Sequence, residues 1–328
     1  MDPVGRRTFL FAGGAILVAP LVGRAQRVYR IGKLERDPGS QRARDERTRL
    51  WRSMLERLSE LGYEEGRNLV LDVRRVMGDA AAASKLAREL VSSRPDVIVA
   101  VTTPVVRAAM AATTSIPIVF PTAGDPVGSG LVKSLARPGG NVTGQSVIQT
   151  DTAAKRIELL LELAPHAKRL AYVGPARNRA VRAVSKALLE GAQARGVELR
   201  HFDVTDVQSM EKAFARFSAE AVDGVIVAAI LLVHRRRLAE LAAQYRLPAI
   251  YVFQEHLDAG GLISFGPNLQ ACYRRTAEQV HRILQGATPA ELPVEQVHFV
   301  VGVNLRAAKA LGVTIPQSIL LRADRVIE

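Results

Sequence analysis

Thr102-Thr103-Pro104 directly follows the apolar run Asp96-Val97-Ile98-Val99-Ala100-Val101. A threonine cap with proline at the first helical position makes a helix start. Its unbonded N–H groups suit a carboxylate, and the plain alternative is a cap with no ligand. Asp125 lies in Pro121-Thr122-Ala123-Gly124-Asp125-Pro126, after a second apolar run. A residue before proline is held extended, so this carboxylate is stiffly placed to receive an ammonium or a hydroxyl. Its alternative use is an Asx turn to its own backbone. Asn178 follows Gly174-Pro175-Ala176-Arg177 and is a cap or a ligand contact. Phe253 and Glu255 follow Pro248-Ala249-Ile250-Tyr251, with Glu255 either a ligand contact or a solvated loop carboxylate. Ser146 and Ser264 fall near predicted crossings between the two halves of the chain. Each of these residue types serves binding, and none of the spacings requires bond-breaking chemistry.

Motifs for catalysis and metal binding are missing. The chain has no G-x-x-x-x-G-K-[ST], and Gly124, Gly128 and Gly130 do not make G-x-G-x-x-G. It has no HExxH and no G-x-S-x-G. None of the six histidines has a partner at the spacing of helix-borne metal ligands. Asp125 and Glu255 make a catalytic carboxylate pair only if they face one another. The single cysteine, Cys272, excludes an internal disulfide, a cysteine zinc cluster and a CxxC redox pair. It lies in a helical pattern and is expected in the core. No catalytic residue, metal or cofactor is assigned, and the chain is expected not to be an enzyme.

The elements that position these residues come from alternating short apolar runs and amphipathic stretches. Val28–Leu34, Asn68–Val73, Asp96–Val101, Pro117–Phe120 and Asn141–Gly144 are expected as strands, with helices at Trp51–Leu61, Ala80–Val91 and Thr103–Ala112. After a helix from Thr152 to Leu163 the alternation restarts. Strands begin at Leu170, Val197, Gly224, Pro248 and Gly261, and helices span Arg179–Ala194, Val207–Phe217, Leu232–Tyr245 and Leu269–Leu284. The tail carries a strand, Phe299–Val303, and a short helix, Leu305–Leu311. Repeated β-crossover-β units give parallel sheets covered by helices on both faces. The expected fold is α/β: two doubly wound parallel-sheet lobes joined by a hinge. Lobe 1 is residues 26–146 plus about 266–296, and lobe 2 is 147–265 plus about 297–328. Ligands of such sheets bind beyond the carboxyl ends of the strands, where the candidate residues fall.

The 328 residues are 48% hydrophobic and 23% charged, which fits a packed core with a soluble surface. The formal charge is +13, and removing residues 1–25 (Arg6, Arg7 and Arg24 against Asp2) leaves +11. The densest clusters, Arg235-Arg236-Arg237 and Arg177, Arg179 and Arg182, are expected as solvated helix faces, the alternative being a docking surface for an acidic partner. Residues 1–25 have the build of an export signal. Arg6-Arg7 precedes an apolar run from Phe9 to Ala19, and Gly23-Arg24-Ala25 offers a small-x-small cleavage site. The paired arginines followed by Phe9-Leu10 resemble the twin-arginine signal. Cleavage near Ala25 and a periplasmic mature protein are expected. DNA binding would also suit the charge, but export contradicts it, and 5% aromatic residues are few for a nucleic-acid platform.

Several segments resemble one family. Leu61-Gly62-Tyr63-x-x-Gly66-x-Asn68-Leu69, Gly124-Asp125-Pro126-Val127, Leu135-Ala136-Arg137-Pro138-Gly139-Gly140-Asn141-Val142-Thr143-Gly144 and Lys155-Arg156-x-Glu158-Leu159-Leu160 are similar to ABC-transporter substrate-binding proteins of the tryptophan and tyrosine type. So are Arg246–Tyr251, Ala259-Gly260-Gly261-Leu262 and Ala307-x-x-x-Leu311-Gly312. The resemblance covers almost all of the chain after Gln26. It implies a type I periplasmic-binding fold that hands a small solute, an amino acid or small organic acid, to a permease in the inner membrane. It implies a monomer closing by its hinge, with no cofactor and no nucleic acid. The ligand-contact expectation is Thr102, Thr103, Asp125, Ser146, Asn178, Phe253, Glu255 and Ser264. Glu35-Arg36-Asp37-Pro38-Gly39 departs from the small-residue loop that members often carry after the first strand. The alternatives are a two-lobed α/β enzyme and a sensory module presenting its ligand to a receptor.

Overall fold

The computed structural model describes residues 27–37, 39, 41–147, 150 and 152–328. The export-signal expectation for residues 1–25 lies outside the described residues. The chain runs β1 (Tyr29–Arg36), α1 (Gln41–Glu60), β2 (Leu69–Val76), α2 (Ala80–Ser92), β3 (Val97–Val101), α3 (Thr103–Ala112), β4 (Ile118–Ala123) and β5 (Val142–Ser146). It continues as α4 (Ala153–Leu163), β6 (Arg169–Gly174), α5 (Arg179–Gln193), β7 (Glu198–Asp203), α6 (Val207–Phe217), β8 (Gly224–Val227), α7 (Arg235–Gln244), β9 (Ala249–Tyr251) and β10 (Ile263–Pro267). The last part holds α8 (Leu269–Leu284), β11 (Glu295–Gln296), β12 (Phe299–Asn304), α9 (Leu305–Leu311), α10 (Gln317–Leu320) and β13 (Ala323–Ile327).

These strands form two sheets. One has the order β11-β5-β4-β3-β1-β2 and the other β13-β12-β10-β9-β8-β6-β7. Helices cover both faces of each, so central strands such as β3 are buried at every residue. Local chemistry sets the ends. Asp79 accepts N–H bonds from Ala81 and Ala82 to start α2, and Asp206 and Ser209 form a reciprocal capping box on α6. Gly312, in the left-handed region at φ 69°, stops α9.

The chain passes between the sheets three times: from β5 into α4, from β10 into α8, and from β11 into β12. The second and third passages exist because α8 returns to the first sheet. Buried polar side chains fasten it there. Gln145 Nε2 donates to Cys272 O at 2.6 Å and to Thr276 Oγ1 at 3.0 Å, and Gln279 Nε2 donates to Gly144 O at 3.1 Å. Thr143 Oγ1 donates to Leu292 O at 2.8 Å, holding the segment before β11. Cys272 is buried within this contact.

Three expectations are corrected. The β10–β12 pair is antiparallel, whereas every other paired strand is parallel. β12 enters straight from the third passage, with no crossover helix to turn it around. The helix expected from Leu232 instead begins at Arg235, preceded by a 3-10 segment, Ala229–His234. That segment leaves β8 with no side-chain cap and closes its first turn by Leu231 N–H to Ala228 O. Glu35 and Arg36 are part of β1 rather than of a charged loop. Glu35 is 2% exposed and pairs with Lys33 at 3.0 Å and Arg75 at 3.2 Å, while Lys33 also lies over the Trp51 ring.

Gly144 in β5 has no room for a side chain. A Cβ there would overlap the carbonyl oxygen and ring of Phe120 on the neighbouring strand β4. Gly144→Ala is therefore expected to lower stability by about 1–3 kcal/mol, read as a lower urea midpoint with an unchanged slope. An unchanged midpoint would show that β4 and β5 part easily at this point.

Candidate functional site

The carboxyl ends of the strands in both sheets open onto one cleft of about 790 Å³. Thr103, Pro104 and Arg107 of α3 line it on the first-sheet side, together with Asp125. Tyr172 of β6, Asn178 and the first turns of α5 line it on the other. A second depression, of about 580 Å³, is lined by Arg200, Lys212 and Arg216. It lies on β7 and α6 at the edge of one sheet, away from the facing strand ends. The first cleft is therefore the candidate site, because it draws on both halves of the molecule.

Thr102 links β3 to α3 with φ at 86°. A β-branched residue there is strained by roughly 1–3 kcal/mol. Its Oγ1 is buried without a hydrogen-bond partner and does not cap the helix. Asp125 Oδ1 accepts the Gly128 N–H at 2.7 Å, and the Ser129 N–H bonds back to Asp125 O. A Cβ at residue 128 would overlap the Asp125 carboxylate, so glycine there permits the turn. Asp125 is exposed and lines the cleft. Asn178 Oδ1 accepts from the N–H groups of Ala180 and Val181 and caps α5.

Thr103, Asp125 and Asn178 thus meet at one cleft, with Thr102 next to it in the chain. Phe253, Glu255, Ser146 and Ser264 do not line it. Ser146 ends β5 at the first passage, where its carbonyl accepts from Val297 N–H at 3.2 Å. The Oγ atoms of Ser146 and Ser264 are both buried without partners. Phe253 and Glu255 are at a 3-10 turn, Gln254–His256, after β9. Burial, with the nearby Glu46 and Asp258 charges, raises the Glu255 carboxyl above its usual range, against the opposing effect of Arg235. Arg235 is not on a solvated face. It pairs with Glu46 of α1 at 3.0 Å, with both side chains largely buried. This pair joins helices of the two different sheets.

Sequence reasoning missed Arg107, Arg179 and Tyr172. Arg107 is one turn from Thr103, and Arg179 directly follows Asn178, so the spacing held a signal for both. Tyr172 carried none, being one of several apolar strand residues. Among the described residues no group of three or more His, Cys, Asp or Glu could hold a metal ion.

His256 is buried and stacks on Tyr251 with ring centroids 4.7 Å apart. Desolvation lowers its pKa to about 3. The unfolded chain takes up this proton below about pH 6.5 while the folded chain does not, so stability falls as pH drops from there towards 3. His256→Phe is expected to flatten this loss by up to about 1.4 kcal/mol per pH unit. Urea unfolding between pH 4 and 7 measures it, and parallel curves for the two proteins would refute it.

Residues 43–327 match the model of a family described as ABC transporter substrate binding protein. A protein named tyrosine-binding protein, from Clostridioides difficile (strain R20291), is 26% identical over 250 residues, 74% of this chain and 70% of that one. The crystal structure of a conserved domain protein from Vibrio cholerae O1 biovar El Tor is 29% identical with a TM-score of 0.78, covering 92% of this chain and 100% of that one. An ABC domain from Streptococcus pneumonia in complex with L-Trp also has a TM-score of 0.78, with the same coverage, at 24% identity. That last likeness is one of fold.

Proposed function

The chain belongs to the ABC transporter substrate-binding protein family, and we propose that the cleft between its two sheets takes one small solute and closes around it by bending at the three passages. The observation that carries this reading is the cleft itself. Each wall is built by a different sheet, and the two share only short connections. A solute touching both walls makes its full set of contacts only when they approach, so it stabilises the closed arrangement over the open one. The Arg235–Glu46 pair works in the same direction, because opening would separate two largely buried charges.

Members of this family bind a small molecule outside the cytoplasm for an ABC transporter. In our reading the mature chain begins near Ala25, is periplasmic, acts as a monomer without turnover, and is met in its closed form by an inner-membrane permease. The ATP is hydrolysed by another chain. The relative named as a tyrosine-binding protein supports an amino acid, aromatic ones first, as the solute. Thr102, Thr103, Asp125 and Asn178 supply contacts at the cleft, while Phe253, Glu255, Ser146 and Ser264 tune closure at its margins. Among the described residues no helix is long and apolar enough to cross a membrane.

A thermal-shift screen of amino acids and small organic acids is expected to give a cognate solute. At one hundred times its Kd it should stabilise the fold by about 2.7 kcal/mol and reduce the radius of gyration in solution scattering. A solute that binds tightly and leaves the radius unchanged would contradict hinge closure.

A further inference from the structure

Arg235 and Glu46 meet at 3.0 Å, yet the chain brings them from opposite halves of the molecule. Among the described residues theirs is the one ion pair that joins the two sheets. Neither is among the residues that line the cleft. Each is held by a rigid element of its own half. Glu46 stands one turn before Leu50 on α1, and this helix buries Leu50, Trp51, Met54 and Leu58 in the core of the first sheet. Arg235 opens α7, whose Leu238 and Leu241 are buried against the second sheet. The two side chains are 12% and 10% exposed, so the pair forms largely out of water. Such a pair repays its desolvation only in good geometry, so it is made at one relative placement of the halves.

A short path runs from the cleft to this pair. The 3-10 segment Ala229–His234 begins with Ala229 and Ile230, which line the cleft, and it ends at Arg235. Leu231 anchors the segment in the core of the second sheet. The Leu232 carbonyl accepts the Arg235 N–H and, at 3.4 Å, its Nη1. The guanidinium is thus fixed to the segment that forms part of the cleft wall at its other end. The energetics have a definite sign. With both partners present the charges compensate one another. With one removed, the other is buried and unpaired whenever the halves are together, a costly state that opening relieves by returning it to water.

We propose that the Arg235–Glu46 pair is a latch outside the binding site: it sets how much of the solute-free protein is closed, and so fixes the affinity and residence time of any solute without choosing between solutes. The inference rests on the solute-binding reading above and adds to it an element that regulates the same cleft. A protein whose competent form is a fraction of the population binds every ligand more weakly by that same fraction. A residue that touches the solute changes the affinity of one solute more than that of another.

The test uses the full chain with spin labels on cysteines introduced at Val127 and Arg177, exposed positions on either side of the cleft. The parent is compared with Arg235→Met, Glu46→Met and the double variant. Without solute, each single substitution is expected to lengthen the label distance, and the double variant should return towards the parent, since no buried charge is left alone. In calorimetry and stopped-flow mixing with L-tyrosine and L-tryptophan, each single variant should weaken both by the same factor, about tenfold or more, chiefly through faster release. The double variant should lose less than either single. Parental distances in both single variants, or a double variant as open as the more open single, would overturn the proposal. So would factors that differ between the two amino acids, which would make the pair part of the binding surface. A single variant that melts lower while keeping the parental distance overturns it too, because the pair then supports only the fold. Silence of either amino acid with the parent protein bears on the solute-binding reading, and the solute-free distances then decide the latch alone.

Discussion

The hydrogen bonds that hold α8 against β5 are the contact on which the two-lobed arrangement depends. Helix α8 is reached from a strand of the second sheet, yet it packs in the first. The buried amides of Gln145 in β5 and Gln279 in α8 each reach a backbone carbonyl across this contact. Buried amides left unpaired are costly, so this seat is specific in a way that apolar packing alone would not be. It commits the chain to leave the second sheet after β10 and to return to it at β12. Three passages follow from that one docking.

Stability is given up at several buried positions, one of them next to the cleft in the chain. Thr102 keeps a strained backbone where a glycine would be relaxed. Its hydroxyl and those of Ser146 and Ser264 are buried without partners, and Arg156 keeps a charge in the core. None of these choices favours the empty fold. Sites that must recognise something often carry such costs, because groups already satisfied by the protein have nothing left for a ligand. Elsewhere the chain follows ordinary rules: helices are capped, most buried charges are paired, and close strand approaches carry glycine.

The fold was legible because each βα unit announces itself. An apolar run such as Val97–Val101 can be buried on both faces only in a parallel sheet, and the alternation restarting after Leu163 implied a second sheet. The rule that ligands meet strand ends led to Thr103, Asp125 and Asn178. What escaped was set by contacts distant in sequence. Glu35 looked like a loop charge because one of its partners, Arg75, is on β2 and reaches it only through strand pairing. Arg235 looked solvated because Glu46 is 189 residues away. Arg156 occupies a core position of an amphipathic helix, which the spacing does reveal.

The central claim is that the two sheets move together around a solute. The one cysteine, Cys272, is buried, so spin labels can be directed to cysteines introduced at Val127 and Arg177, exposed positions on opposite sides of the cleft. Pulsed dipolar spectroscopy then reads the distance between the lobes directly. With a solute shown by calorimetry to be bound, the distribution should shorten and narrow relative to the solute-free protein. A distribution that stays the same at saturation would mean that the halves form one rigid body, and the account would fail.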